Sequence, residues 1–84
     1  MTGRPDVVMY SRTTCHLCDE ARAVILAEAA RPGPGFDFGE IPVDGDDDLE
    51  RAYGLRVPVV VVDGREEFEI AVDPARFHRL VTAP

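Results

Sequence analysis

The pattern of apolar and polar positions along the chain predicts seven secondary-structure elements. The run from Asp6 to Tyr10 is apolar almost throughout, which predicts a strand buried on both faces of a sheet. From Cys15 to about Ala30, apolar residues recur at spacings of three and four, which predicts a helix with one buried face. That face comprises Leu17, Ala21, Val24, Ile25 and Ala29.

Breaks in the pattern separate this helix from the next two elements. Pro32-Gly33-Pro34-Gly35 ends the helix, because proline cannot continue it. The segment from Phe36 to Val43 alternates apolar and polar residues, which predicts a strand with one buried face; Pro42 indicates a position at or near a sheet edge. An acidic loop, 44–48, is expected to be solvated and to cap a short helix from Asp47 or Asp48 to Tyr53, closed by Gly54.

The last third of the chain predicts a hairpin followed by a helix. Four successive β-branched residues, Val59 to Val62, predict a central strand. Asp63-Gly64 is a hairpin-turn dipeptide, so Glu66 to Val72 is expected to form the antiparallel partner. Asp73 is a candidate N-cap for a helix from Pro74 to Val81. Its inward-facing side chains are expected to be Phe77, Leu80 and Val81.

The predicted order is therefore β-α-β-α-β-β-α in a single domain spanning residues 1–84. A right-handed crossover would make the first two strands parallel, and the hairpin makes the last two antiparallel. The fold class is α/β with a four-stranded mixed sheet. Two charged residues of the first helix, Arg22 and Glu28, lie outside its apolar face and are expected to be solvated.

The charge balance excludes two classes of partner. The chain has a net charge of −7 and no lysine, so no basic surface is available to neutralise nucleic acid phosphates. The same acidity argues against binding to anionic membranes. No apolar run is long enough to cross a bilayer, and the first residues lack the apolar region of a signal peptide. We therefore expect a cytoplasmic protein.

The two cysteines, Cys15 and Cys18, lie where the first strand gives way to the first helix. A sulfur at a helix N-terminus meets unpaired backbone N–H groups and the positive end of the helix dipole. A thiol there loses its proton more readily, and the thiolate is the reactive form. Thr14 is the candidate N-cap of this helix. A Cys-x-x-Cys pair beside a βαβ pattern in an intracellular chain predicts a thioredoxin-like redox motif.

The chain resembles the glutaredoxin-like group of the thioredoxin fold. The resemblance rests on the element order, on Tyr10 to Cys18 with its arginine before the first cysteine, and on Arg56-Val57-Pro58 at the start of the third strand. It implies a three-layer α/β/α domain in which Cys15 is the nucleophile and Cys18 resolves the mixed disulfide.

We expect six further residues to serve substrate binding, in part because of the same resemblance. Pro58 would be a cis proline facing the dithiol, and the backbone of Val57 would pair with an extended substrate. Arg12 and Thr14 precede the nucleophile, and Arg12 would add positive charge. His16 either makes the disulfide more oxidising when protonated or is a solvated helix residue. In glutaredoxins a Gly-Gly turn and an acid hold glutathione; here Ala71-Val72-Asp73 occupies that place, so only Asp73 matches.

These residues predict a thiol–disulfide oxidoreductase, monomeric, acting on a disulfide-containing protein or small molecule. No cofactor is expected; glutathione is a candidate co-substrate. The electron donor is glutathione or a thioredoxin-type reductase, which the residues do not distinguish. Two alternatives remain: a zinc or iron–sulfur module using Cys15 and Cys18, although structural zinc sites usually have four ligands, and a non-catalytic adaptor that binds peptides along Val57-Pro58.

Overall fold

The computed structural model describes residues 3–82 and contains the seven predicted elements in the predicted order. Residues 1, 2, 83 and 84 of the predicted domain lie outside the described residues. The strands are β1 (Asp6–Ser11), β2 (Asp37–Pro42), β3 (Val59–Val62) and β4 (Arg65–Glu69). The helices are α1 (His16–Ala29), α2 (Asp47–Tyr53) and α3 (Pro74–Thr82).

The four strands form one mixed sheet in the order β2-β1-β3-β4. β1 is parallel to β2 and antiparallel to β3, and β3 is antiparallel to β4. The predicted parallel pair and hairpin are both confirmed, and β2 lies at an edge, as Pro42 indicated. β1 and β3 are the two interior strands, which explains why both are apolar almost throughout.

The main core lies between the sheet and two helices, α1 and α3. Phe77 of α3 is fully buried at its centre, where its ring contacts Phe36 edge-on at a centroid distance of 5.4 Å. Tyr10 lies on the opposite face of the sheet and stacks on Tyr53 of α2, with ring centroids 4.0 Å apart. The helices therefore cover both faces of the sheet, in three layers. The main cluster also contains Val7, Met9, Cys18, Ala21, Ile25, Val60, Val62, Phe68, Val72 and Val81.

Two strand predictions were wrong in detail. β2 was expected to bury one face, but only Phe38 is even half-buried within it, and the buried residues Phe36 and Val43 flank the strand. An edge strand with few neighbours has little surface to bury. β4 was expected to reach Val72, but it ends at Glu69 because the next residue, Ile70, takes a positive φ of 72°. Extended pairing cannot continue through that conformation.

The buried face of α1 is also rotated from the predicted one. Cys18, Ala21 and Ile25 are its buried residues. Leu17 and Ala29 were expected inside and are exposed. The exposed positions are those at the two ends of the predicted face.

Two charged residues of α1 are less solvated than expected. The Glu28 side chain is only 9% exposed, and its Oε2 lies 2.7 Å from Nδ1 of His78 on α3. Arg22 donates to Glu40 of β2 at 2.6 Å and to Asp19 at 2.8 Å. Both predictions failed because helical periodicity identifies the face toward the sheet and carries no information about neighbouring elements at the flanks.

Candidate functional site

The sheet register brings the loop before Cys15 and the segment that contains Pro58 to the same edge of the sheet. Tyr10, near the end of β1, pairs with Val59, the first residue of β3. The loop that leads from β1 to Cys15 therefore leaves the sheet beside the segment that enters β3 through Pro58. Both Cys15 and Val57 pack against the main core cluster.

Cys15 itself caps α1. Its backbone is extended, with φ −128° and ψ 110°, and its carbonyl accepts the first helical hydrogen bond from the Asp19 amide at 3.0 Å. Its Sγ accepts a hydrogen bond from the Cys18 amide at 3.1 Å. The prediction that Thr14 is the N-cap was wrong: Thr14 lies one residue earlier in the left-handed region, with φ 55°. The sulfur thus occupies the place where a side-chain oxygen usually satisfies the helix's free amides.

The two sulfurs differ in exposure. Cys15 Sγ and Cys18 Sγ lie at disulfide-bonding distance, with Cα atoms 5.1 Å apart. Cys18 is fully buried in the main core, whereas Cys15 is half-buried at the surface. An incoming group can therefore approach Cys15 from solvent, while Cys18 is reached through Cys15.

Arg12 is held by the α2 region. Its guanidinium donates to both carboxylate oxygens of Glu50, with Nη1 at 3.0 Å from Oε2 and Nη2 on Oε1. It also donates to the Gly54 carbonyl at 3.1 and 3.2 Å and to Asp44 at 3.2 Å. These contacts, led by the hydrogen bond to Glu50, raise the pKa of Arg12 above its ordinary value. Two carboxylates therefore neutralise the cation that sequence reasoning assigned to Cys15.

Asp44 makes a second contact with the loop before Cys15. Its Oδ2 accepts the backbone N–H of Thr13 at 2.7 Å. The pKa of Asp44 is lowered, first by hydrogen bonding to Thr13 and then by the charge of Arg12. Two neighbouring residues of the loop before Cys15 are thus fastened to the acidic segment. Sequence analysis treated the acidic loop 44–48 as solvated and capping; of its described side chains, that of Asp46 caps α2, accepting from the Leu49 amide at 3.0 Å.

The segment across from the dithiol contains a cis peptide bond between Val57 and Pro58, as predicted. Pro58 is buried and Val57 is half-buried. Within residues 3–82, neither the N–H nor the C=O of Val57 takes part in a backbone hydrogen bond. The Ile70 amide instead donates to the carbonyls on either side, of Pro58 at 2.8 Å and of Arg56 at 3.3 Å.

Three large apolar side chains are exposed around this edge. Leu55, two residues before Val57, is 95% exposed. Leu17, next to Cys18 in sequence, and Ile70 are each 41% exposed and line the same small cleft between α1 and the β4–α3 loop. Sequence reasoning missed this surface, because Leu17 had been assigned to the buried face of α1 and Ile70 to the strand Glu66 to Val72. The one sequence feature that indicated this exposed surface was Leu55, an apolar residue in the turn after α2.

Two further predicted site residues have local partners. His16 follows Cys15 at the start of α1, where its side chain is 85% exposed and its Nε2 lies 2.7 Å from Glu20, one turn along the helix. Asp73 accepts the Arg76 amide at 3.0 Å and so caps α3, as predicted. One carboxylate oxygen of Asp73 is therefore already engaged by the protein.

Among residues 3–82, no group of three or more histidine, cysteine, aspartate or glutamate side chains is placed to hold a metal ion. The sulfurs of Cys15 and Cys18 are directed at each other, and His16 is directed at Glu20. In the same part of the chain, no helix is both long and apolar enough to cross a membrane.

Comparison with known proteins identifies relatives over nearly the whole chain. The profile of a glutaredoxin-like domain (DUF836) matches residues 6–82. An uncharacterized protein of Mycobacterium tuberculosis is 38% identical over 79 residues, which cover 88% of this chain and 79% of that protein.

Solved structures extend this comparison to the fold. The X-ray structure of a target protein from X. campestris is 38% identical, with a TM-score of 0.68 over 86% of this chain and 89% of that one. A mutant thioredoxin from Halobacterium salinarum superposes with a TM-score of 0.65 over 93% of this chain and 72% of that one. At 24% identity it shows the fold alone. The predicted thioredoxin-like fold is confirmed.

Proposed function

The chain belongs to the glutaredoxin-like domain family, and we propose that it is a thiol–disulfide oxidoreductase acting through both cysteines. The observation that carries the proposal is the position of Cys15 as the N-cap of α1, with its sulfur accepting the Cys18 amide. A hydrogen-bond donor and the helix dipole both favour a thiolate over a thiol at that place. Such thiolates attack disulfides.

The reaction proceeds in two exchanges. The Cys15 thiolate attacks one sulfur of the substrate disulfide, forms a mixed disulfide and releases the other substrate sulfur as a thiolate. The Cys18 thiolate, formed as its proton leaves, then attacks Cys15 Sγ and releases the second substrate thiol. The protein ends with a Cys15–Cys18 disulfide, so two electrons have passed to the substrate. A thiol donor reverses these steps and restores the dithiol.

The substrate docks on the edge formed by Val57 and the exposed apolar residues. The unpaired backbone groups of Val57 can bond an extended peptide as an added strand does. Leu17, Leu55 and Ile70 offer apolar contacts on that edge. This arrangement favours a disulfide in a protein or peptide over a small polar one. Glutathione remains a candidate co-substrate, with Asp73 the one matching recognition residue. The protein acts as a monomer.

Arg12 and Thr14 serve this site by shaping the loop. The guanidinium of Arg12 is neutralised by Glu50 and Asp44, so its role is to hold the loop before Cys15 rather than to lower the thiol pKa. Thr14, with its positive φ, turns the chain into the cap. His16 is solvated and adjusts the potential weakly, because its partner Glu20 is also exposed.

A turnover assay with a peptide disulfide tests the proposal. Cys15→Ser is expected to abolish reduction of the substrate, because the nucleophile is gone. Cys18→Ala is expected to stop at the mixed disulfide, which mass spectrometry detects as a covalent adduct on Cys15. His16→Gln, which changes one of the two residues between the cysteines and no sulfur, is the control and retains turnover. Full activity of Cys15→Ser would refute the proposal.

The electron donor is found by reducing the oxidised protein with glutathione and, separately, with a thioredoxin-type reductase. Comparing Asp73→Asn with Glu69→Gln, a nearby exposed acid, tests the glutathione contact. A selective slowing of the glutathione reaction in Asp73→Asn supports recognition by that carboxylate. Equal rates in the two variants would exclude it.

A further inference from the structure

A groove between α1 and α3 lies away from the dithiol. It has a volume of about 610 Å³, within the range of small-molecule sites. Ala23, Val24 and Ala27 of α1 and Pro74 and Ala75 of α3 form its apolar floor. Four of these five are exposed and Val24 is half-buried, so two helices that meet closely elsewhere leave an open trough here.

The charges around the groove are opposite to those of the chain as a whole. Arg31 and Arg79 line it together with a single carboxylate, Glu28, in a protein of net charge −7. Glu28 is nearly buried and is already engaged by His78 at 2.7 Å and by Arg31 at 3.7 Å. Its charge is therefore compensated within the protein.

Arg79 is different, because it has no hydrogen-bond or ion-pair partner within residues 3–82. Seven of the chain's nine arginines pair with an acid there; Arg65 and Arg79 do not. Arg79 is exposed at the rim of the groove, directly beside an apolar floor. A guanidinium in that position offers a planar pair of donors to a carboxylate or similar head group.

We propose that the α1–α3 groove binds a small amphiphilic anion. A slender apolar body lies along the alanine floor, and its carboxylate-like head bonds Arg79. The short alanine side chains leave depth for a slender body, and the Arg79 guanidinium, which has no partner within residues 3–82, selects the sign of the head. The site is separate from the dithiol: Ala23 lies five residues beyond Cys18, about 7–8 Å along the helix axis at 1.5 Å per residue.

Titrations with three probes test this proposal on the full chain. Octanoate supplies both the body and the anionic head, octylammonium the same body with a cationic head, and acetate the head alone. We expect octanoate to shift the alanine methyl and amide NMR signals of Ala23, Ala27 and Ala75 in a saturable way. Octylammonium should bind at least tenfold more weakly, and acetate should give no saturation at the same concentrations.

Variants locate the site and its charge dependence. Arg79→Gln should weaken octanoate binding at least fivefold, whereas Arg65→Gln, which removes the other unpaired arginine, should leave it unchanged. Ala27→Leu fills the trough and should abolish the shifts; its NMR spectrum shows whether the fold is kept. If it is not, the comparison of Arg79→Gln with Arg65→Gln decides. Equal binding of octanoate and octylammonium, or equal effects of the two arginine variants, would overturn the proposal.

Discussion

Gly54→Ala is the substitution that most sharply tests how the site loop is held. Gly54 follows α2 and has φ −53° and ψ −37°, a helical conformation that alanine adopts without strain. Replacing glycine by alanine at such a position normally stabilises a protein by about 0.4–1 kcal/mol. Here a Cβ would lie 2.6 Å from the Glu50 carbonyl oxygen and 2.7 Å from Arg12 Nη2. It would also lie 2.6 Å from Glu50 Oε1, and all three contacts are too close for a carbon atom.

The sign of the effect is decided by the clash. Forcing an extra carbon into a filled site costs about 1–3 kcal/mol, which exceeds the usual gain of about 0.4–1 kcal/mol. We therefore expect a net loss of about 0.5–2 kcal/mol, or roughly 3–12 °C in Tm for a domain of this size. The backbone oxygen of Glu50 cannot move away as a side chain could, so relaxation is limited.

Thermal unfolding followed by circular dichroism measures this change. Gly39→Ala is the matched control, because no atom lies within 4 Å of the Cβ it would add. Its free energy of unfolding should change by no more than about 0.5 kcal/mol in either direction, as is typical of surface substitutions. Removing the guanidinium with Arg12→Met should reduce the loss caused by Gly54→Ala, because one of the three clashes disappears. A Gly54→Ala protein as stable as the wild type would refute the close packing described around Arg12.

Three other variants test the loop before Cys15, the loss of stability at low pH and the packing of the core. Arg12→Gln should lower Tm but leave the Cys15 pKa, followed by thiolate absorbance, within about half a unit, since its charge is already neutralised; a rise of a full unit would contradict this. The pKa of Glu40 is lowered, chiefly by its hydrogen bond with Arg22, so its stabilisation is present above the ordinary value of 4.5 and is lost as pH falls through the lowered pKa. Glu40→Gln should therefore be less stable than wild type in urea at pH 7, with the gap closing well below pH 4.5; a constant gap would argue against the bond. Ile25→Ala, at a fully buried position, should cost about 2–5 kcal/mol in urea unfolding, and a loss under 1 kcal/mol would argue against its place in the core.

The element order along the chain and the junction that carries Cys15 and Cys18 could be predicted because their signals are local. Apolar runs, the proline–glycine break and the hairpin dipeptide each act within a few residues. The cysteine spacing then places both sulfurs at the start of a helix whatever the helix packs against. Pro58 was also predictable, though from the family resemblance rather than from its neighbours.

The remaining features depend on contacts between distant residues. Ile70 leaves the β4 conformation because its amide bonds the carbonyls of Pro58 and Arg56, which no local pattern predicts for a β-branched residue. Arg12 lies 38 residues from Glu50, so its neutralisation is visible only in the folded chain. Glu28 was expected in solvent for the same reason, since its partner is on α3.

The most direct test of the redox proposal is the pH dependence of Cys15 alkylation in the reduced protein. The rate of reaction with iodoacetamide, with the modified cysteine identified by mass spectrometry, gives the thiol pKa. Thiolates at helix N-termini have pKa values of roughly 3.5–7.5, against about 8.5 for an ordinary cysteine. We expect Cys15 to react first, with a pKa below about 7.5. A Cys15 pKa near 8.5, or preferential modification of Cys18, would contradict the proposal.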